Sequence, residues 1–133
     1  MPYKILIADD DAGYRYPLRH LFEDFTYEVC EAADYDGVIE RAPECDIWII
    51  DVRLPTRKQE GILAVHELAR NRNNPPRHPV IFISVLGQSF CTDNLLKLEK
   101  LGVQYVWIEK PFELELLLTQ VNRLIREASK NVK

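Results

Sequence analysis

The chain has 133 residues, 47% of them hydrophobic and 29% charged, a one-domain length with enough apolar material for a core. Its net charge of −4 speaks against nucleic-acid binding driven by charge. No run approaches the ~18 apolar residues of a membrane span, and Met1-Pro2-Tyr3-Lys4 leads straight into strand-like sequence, so no signal peptide is expected.

The first segment, Tyr3–Ala8, reads as a buried strand and delivers three consecutive acids, Asp9, Asp10 and Asp11. At an effective dielectric near 20, two carboxylates about 4 Å apart repel by roughly 4 kcal/mol. A cation, a retained proton or water must relieve that repulsion. A helix is expected over Tyr16–Phe25, with Leu18, Leu21, Phe22 and Phe25 on one face and Pro17 tolerated in its first turn. The strand Tyr27–Glu31 follows, then a helix over Asp34–Ala42 with Asp34 or Asp36 as N-cap. Ile47–Ile50 is the third strand, and Gly61–Arg72 carries Ile62, Val65, Leu68 and Ala69 on a helical stripe. Val80–Ser84 is the fourth strand, followed by a helix over Thr92–Leu101 with Leu95, Leu98 and Leu101 three apart. The last pair is the strand Gln104–Ile108 and the helix Glu113–Ala128, whose Leu114, Leu117, Leu118, Val121, Leu124, Ile125 and Ala128 point mostly inward. Prolines at Pro43, Pro55, Pro75, Pro76, Pro79 and Pro111 fall between these elements.

Strand and helix thus alternate five times, with no internal repeat and no interdomain linker. Short, nearly continuous Ile/Val runs suit parallel strands covered on both faces. The expected architecture is a single doubly wound α/β domain, and such sheets bind ligands at the carboxyl ends of their strands. Asp9 and Asp10 follow strand one, Asp51 follows strand three, Ser84 closes strand four and Lys110 ends strand five. Carboxylates and a backbone carbonyl on one rim form a hard oxygen site suited to Mg²⁺. There Asp51 is placed to attack phosphorus, Lys110 to hold the transferring oxygens and Ser84 to donate a hydrogen bond to them. Cys30, Cys45 and Cys91 are odd in number and lack a C-x-x-C spacing, so reduced thiols are expected. His20, His66 and His78 stand apart from them and from one another, which argues against a zinc site.

Taken together, "ILIADDD", "DIWIIDVRLP", "PVIFISV" and "KPF" resemble, in order and near spacing, the receiver domain of two-component response regulators. The resemblance covers nearly the whole chain and implies a five-stranded parallel sheet in the flavodoxin-like order 2-1-3-4-5. It implies a receiver over residues 1–128, with 129–133 a polar tail or the start of a linker. Asp51 would be the phosphoacceptor. Asp10 would bind Mg²⁺ (or Mn²⁺) directly, Asp9 chiefly through water, and Arg53 through its main-chain carbonyl. Ser84 would be the switch hydroxyl and Lys110, ahead of a cis Pro111, the phosphate partner, while Asp11 caps the first helix. The implied partners are a sensor histidine kinase or phosphotransfer protein in a bacterial cytoplasm. A second copy would pair through helix four, strand five and helix five. The domain itself would bind neither nucleic acid nor membrane. It would not be an enzyme in the ordinary sense, though it would catalyse its own phosphoryl transfer and dephosphorylation.

Three departures from the family pattern stand out. Gly61 lies ten positions after Asp51, with "TRKQE" before it, where about eight is usual, so a two-residue insertion borders the site. Arg53 and Leu86 occupy places that tune how long the phosphoryl group survives, and Val85 is larger than the small residue common there. Counting back from Lys110 makes Trp107 the switch aromatic, whereas counting forward from Gly102 favours Tyr105 or its neighbour; Trp107 is preferred because the lysine anchors the count at the chemistry.

Two other functions compete. Asp9-x-Asp11 after a strand is similar to the nucleophile and acid–base pair of haloacid-dehalogenase phosphatases, but Ala12 and Gly13 depart from that motif, and Asp51 is left without a role. A receiver-like interaction module that is never phosphorylated usually lacks an acid or the lysine, and none is missing here. The blander alternatives are a solvated acidic turn for Asp9–Asp11 and ordinary strand packing for Trp107 and Tyr105.

Overall fold

The computed structural model describes residues 3–55, 59–71 and 78–131. Five strands, β1 (Lys4–Ala8), β2 (Glu28–Ala32), β3 (Ile47–Asp51), β4 (Val80–Ser84) and β5 (Tyr105–Glu109), form one parallel sheet in the order β2-β1-β3-β4-β5. Between and after them run α1 (Ala12–Asp24), α2 (Tyr35–Arg41), α3 (Glu60–Arg70), α4 (Thr92–Lys100) and α5 (Leu114–Asn131). The expected doubly wound α/β architecture and strand order are therefore present.

The two-residue side-chain period of each strand splits the core into two layers. Ile5, Ile7, Ile47, Ile49, Ile81 and Ile83 face Leu18 and Phe22 of α1 and Leu117 and Val121 of α5. Leu6, Ala8, Trp48, Ile50, Val80 and Phe82 face Val38 of α2, Val65 and Leu68 of α3, and Leu95 and Leu98 of α4. All six of these large isoleucines and the Trp48 ring are at most 1% exposed, each contributing roughly 1.5–3 kcal/mol through burial. Trp48 also donates its indole N–H to the Ala42 carbonyl at 2.8 Å, within a 3₁₀ turn over Ala42–Glu44, so its one polar atom is satisfied in the core.

Several boundaries differ from the sequence expectation. Helix α1 begins four residues earlier than Tyr16, because Asp11 is the N-cap and its Oδ1 accepts from the Gly13 N–H at 2.8 Å. Pro17 therefore lies in the second turn, not the first, on an exposed position of the helix. Phe25 is the C-cap of α1 and is 52% exposed rather than packed inward. Leu114, expected to face the core, opens α5 and is 40% exposed. β2 and β5 each sit one residue later than read, and α5 continues to Asn131. Asp34, rather than Asp36, caps α2 by accepting from Gly37 N–H at 2.8 Å. Arg72, the expected end of α3, lies outside the described residues, as do 56–58 of the insertion.

Candidate functional site

The strand period also decides which polar side chains meet at the carboxyl edge. Asp9 and Asp51 continue the phase of Ile5–Ile7 and Ile47–Ile49, and Lys110 that of Val106–Ile108, so all three emerge on the α1/α5 side of the sheet. Lys110 Nζ donates to Asp9 Oδ2 at 2.8 Å and to Asp51 Oδ2 at 2.6 Å. The three side chains are 7%, 1% and 8% exposed, respectively, so this is a buried ion triad. Asp10, one residue on, is exposed, yet ligand atoms of Asp9, Asp10 and Asp51 all lie within 4.8 Å of one another.

One ammonium faces three carboxylates here. Burial pushes the Asp51 carboxyl up to about 6; the hydrogen bonds from Lys110 and from Arg53 N–H oppose the rise, and the Asp9 charge adds to it. For Lys110, burial pulls the ammonium down, but hydrogen bonds and charge from Asp51 and Asp9 outweigh it and raise it. A divalent cation fits this oxygen set, because a triad short of one positive charge gains most from an added one.

Local backbone geometry fixes the carboxylates. Asp9 Oδ1 accepts from Asp11 N–H at 2.9 Å, and Asp51 Oδ1 accepts from Arg53 N–H at 2.9 Å. Both oxygens of Asp51 are thus engaged, one by backbone and one by Lys110. Arg15 of α1 donates to the Asp9 carbonyl at 2.6 Å and pairs with Glu31 at 3.0 Å, tying the acidic turn to the end of β2. Gly61 is required where α3 meets β3: a Cβ there would collide with the Asp51 carbonyl oxygen, while Gly61 N–H bonds to Val52 O at 2.9 Å. Despite the longer connection, α3 therefore seats its glycine directly on the Asp51 strand end.

A cleft of about 250 Å³ opens over these groups, lined by Asp9, Asp10, Asp11, Tyr14, Asp51 and Lys110 together with Arg53, Leu54, Pro55 and Val85. The Arg53 side chain is exposed and Val85 is 60% exposed, so both border the opening. Leu86, two past Ser84, is half-buried and is placed by its N–H, which bonds to the serine. Ser84 stands apart. It belongs to the Val80–Phe82 phase, is fully buried on the α4 side, and its Oγ accepts from Leu86 N–H at 2.8 Å.

Tyr105 and Trp107 share that side with Ser84. Both are half-buried and pack on Phe82, with ring centroids 5.8 and 6.0 Å away. The Tyr105 hydroxyl accepts from Gln88 Nε2 at 3.2 Å. The Trp107 indole N–H is buried without a hydrogen-bond partner among the described residues. The Lys110–Pro111 bond is cis. Phe90 is 72% exposed, but Cys91 beside it is buried.

Sequence reasoning missed Tyr14. With α1 expected from Tyr16, Tyr14 lay in a loop; with α1 starting at Ala12 it occupies the first turn, and its ring centroid sits 3.8 Å from Lys110 Nζ. Asp11, which the phosphatase reading needs as acid–base, is instead committed to the helix cap.

Residues 5–122 match the family model described as the response regulator receiver domain. The chain is 28% identical over 127 residues to the transcriptional regulatory protein YxdJ of Bacillus subtilis (strain 168), covering 94% of this chain and 51% of that protein. It is 30% identical over 124 residues to the transcriptional regulatory protein PdtaR of Mycobacterium tuberculosis (strain ATCC 25618 / H37Rv), covering 91% and 56%. It therefore spans about half the length of the curated relatives it matches. The crystal structure of a CheY-like response regulator receiver domain protein from Methanospirillum hungatei JF-1 has the same fold, with a TM-score of 0.82 at 21% identity over 99% of this chain and 100% of that one. With the sheet order, the acidic rim and the matched span in agreement, the chain belongs to the response regulator receiver domain family of two-component signalling.

Proposed function

We propose that Asp51 accepts a phosphoryl group from a phosphohistidine on a histidine kinase or phosphotransfer protein. The observation that carries this reading is the Lys110 ammonium shared between Asp9 and Asp51 at 2.8 and 2.6 Å, beside a third carboxylate, on the floor of an open cleft. An Asp51 carboxylate oxygen attacks phosphorus, the N–P bond breaks, and the electron pair leaves with the imidazole, giving an acyl phosphate. Lys110 meets the charge that moves onto the phosphoryl oxygens. Asp9, Asp10 and Asp51, with the Arg53 carbonyl, would hold Mg²⁺ or Mn²⁺; when bound, the ion supplies positive charge for those same oxygens. The exposed Arg53 and Val85 side chains at the mouth govern access of donor and water to the group, and hence its lifetime.

The response runs through the other face of the sheet. Ser84 Oγ leaves the Leu86 N–H to bond the phosphoryl oxygen, and Trp107 moves toward the vacated space. Trp107 is favoured over Tyr105 because its buried indole N–H has no partner among the described residues, a state that costs about 1–3 kcal/mol and that movement would relieve, whereas the Tyr105 hydroxyl already holds Gln88. The shift alters the face built by α4, β5 and α5, where Leu96, Leu114 and Leu116 are 40–49% exposed and available to a second copy or another partner. The working unit is the receiver over residues 1–128; α5 carries on through the polar residues that follow to Asn131, and 132–133 lie outside the described residues. A bacterial cytoplasm is the setting the family suggests, and no helix among the described residues is long and apolar enough to cross a membrane.

The test is intact mass after incubation with Mg²⁺ and acetyl phosphate. The expected result is a labile phosphoryl adduct on the wild type that Asp51→Asn abolishes and Asp9→Asn only weakens. An adduct that survives Asp51→Asn would sink the assignment. No adduct from acetyl phosphate or from a phosphorylated phosphotransfer domain would favour a module that signals without phosphate.

A further inference from the structure

We propose that Tyr14 is a positioning residue for Lys110: the face of its ring holds the ammonium over the carboxylates and sets how readily the lysine serves phosphoryl transfer. The inference rests on the reading of Asp51 as phosphoacceptor and adds a residue to it.

Lys110 has three N–H donors, and two are used on Asp9 Oδ2 and Asp51 Oδ2. The Tyr14 ring centroid is 3.8 Å from Nζ, well inside the ~6 Å reach of a cation–π contact. With the lysine side chain only 7% exposed, the ring stands where water would otherwise solvate the ammonium, the condition under which this attraction is strongest. Tyr14 also lines the cleft beside Asp9, Asp10 and Asp51, so it acts at the reacting centre rather than from a distance. Its placement follows from the Asp11 cap, which starts α1 early enough to bring Tyr14 into the first turn.

The type of contact matters for the chemistry. During transfer, negative charge moves from the Asp51 carboxylate to the phosphoryl oxygens, and Lys110 must follow it. A further carboxylate would trap the ammonium in its starting position. A neutral π face holds it with no directional bond to break, and lets it pivot between the two partners.

The test replaces Tyr14 with phenylalanine and with phenylalanines carrying one, two or three ring fluorines, which drain the π face while keeping the ring's shape nearly constant. Tyr14→Leu completes the set. Two quantities are read: the rate of adduct formation with acetyl phosphate and Mg²⁺, and the NMR shift of the Lys110 ε-methylene. With Tyr14→Phe as reference, the rate should fall stepwise with fluorine number, about threefold to tenfold across the series. The Lys110 resonance should lie upfield in the wild type and return toward its ordinary position in Tyr14→Leu. A rate flat across the fluorine series, whether or not Tyr14→Leu is slow, would reduce Tyr14 to packing and overturn the proposal. If the wild type takes no phosphoryl group from acetyl phosphate, that failure belongs to the Asp51 reading with this donor. The NMR shift then decides on Tyr14: an upfield resonance lost in Tyr14→Leu supports it, and an unshifted Lys110 in the wild type overturns it.

Discussion

At Asp51 the environment favours the neutral acid in the folded protein, and the consequence for stability has a definite sign. The folded carboxyl titrates near 6 rather than at its ordinary 3.8, chiefly because it is buried. Between these values the native state keeps a proton that the unfolded chain has released, so stability falls as pH rises from about 4 to about 6 and levels off above. Asp51→Asn removes that slope. In the presence of a chelator at pH 7.5, the variant should be more stable than the wild type, by on the order of 2 kcal/mol or several degrees in Tm, and should lose most of the difference at pH 4. Lys110 contributes nothing to this window, because its raised pKa acts only in the alkaline range. Thermal melts of both proteins across pH 4–8 check the prediction; a wild-type curve that rises steadily through pH 6 would show that pairing with Lys110, not burial, governs Asp51. Asp51 itself was legible as a chemical residue because one rule about parallel sheets points at every strand end. Tyr14 was not, since its role depends on a helix start that hydrophobic periodicity does not mark.

Among the elements, the interiors were readable and the ends were not. Five alternations of apolar runs and helical stripes locate the strands and helices, because burial demands that spacing. Helix ends answer instead to single hydrogen bonds. Asp11 Oδ1 on Gly13 N–H moves the start of α1 upstream of Pro17, and Phe25 and Leu114, at the two ends of otherwise inward stripes, face water. The start of α3 is the least ordinary. Gln59 precedes it with φ 60°, a left-handed conformation, and offers no side-chain cap. Its amide goes elsewhere: Nε2 donates to Phe90 O at 3.3 Å, and Oε1 accepts from Asn94 Nδ2 at 2.8 Å, joining the connection after β3 to the start of α4. Both Gln59→Ala and Gln59→Gly lose these bonds, but only glycine relieves the left-handed backbone. In urea denaturation, Gln59→Gly should exceed Gln59→Ala in stability by roughly 0.5–1 kcal/mol. Equal stabilities would mean that the backbone relaxes out of this conformation once the amide is gone.

On the scale of the whole molecule, the acidic rim exists only when the sheet has formed. Asp9 and Asp10 arrive at the end of β1, Asp51 at the end of β3 and Lys110 just beyond β5, so residues a hundred positions apart in the chain meet on one edge. An unfolded chain holds no such oxygen cluster. A divalent cation that binds the cluster therefore binds the native state alone, and its binding energy adds to the global stability as RT ln(1 + [L]/Kd). At a hundredfold excess over Kd that is about 2.7 kcal/mol, and relief of the repulsion between the buried Asp9 and Asp51 enters through a lower Kd than an isolated carboxylate would give. Mg²⁺ should thus raise the urea midpoint of the wild type in a saturable way without changing the slope of the transition, and EDTA should reverse it. Asp10→Asn removes an exposed carboxylate of the cluster without disturbing the buried ion triad, so its stability in EDTA should stay close to the wild-type value while most of the Mg²⁺ gain disappears. An Asp10→Asn protein that responds to Mg²⁺ like the wild type would place the cation away from this rim.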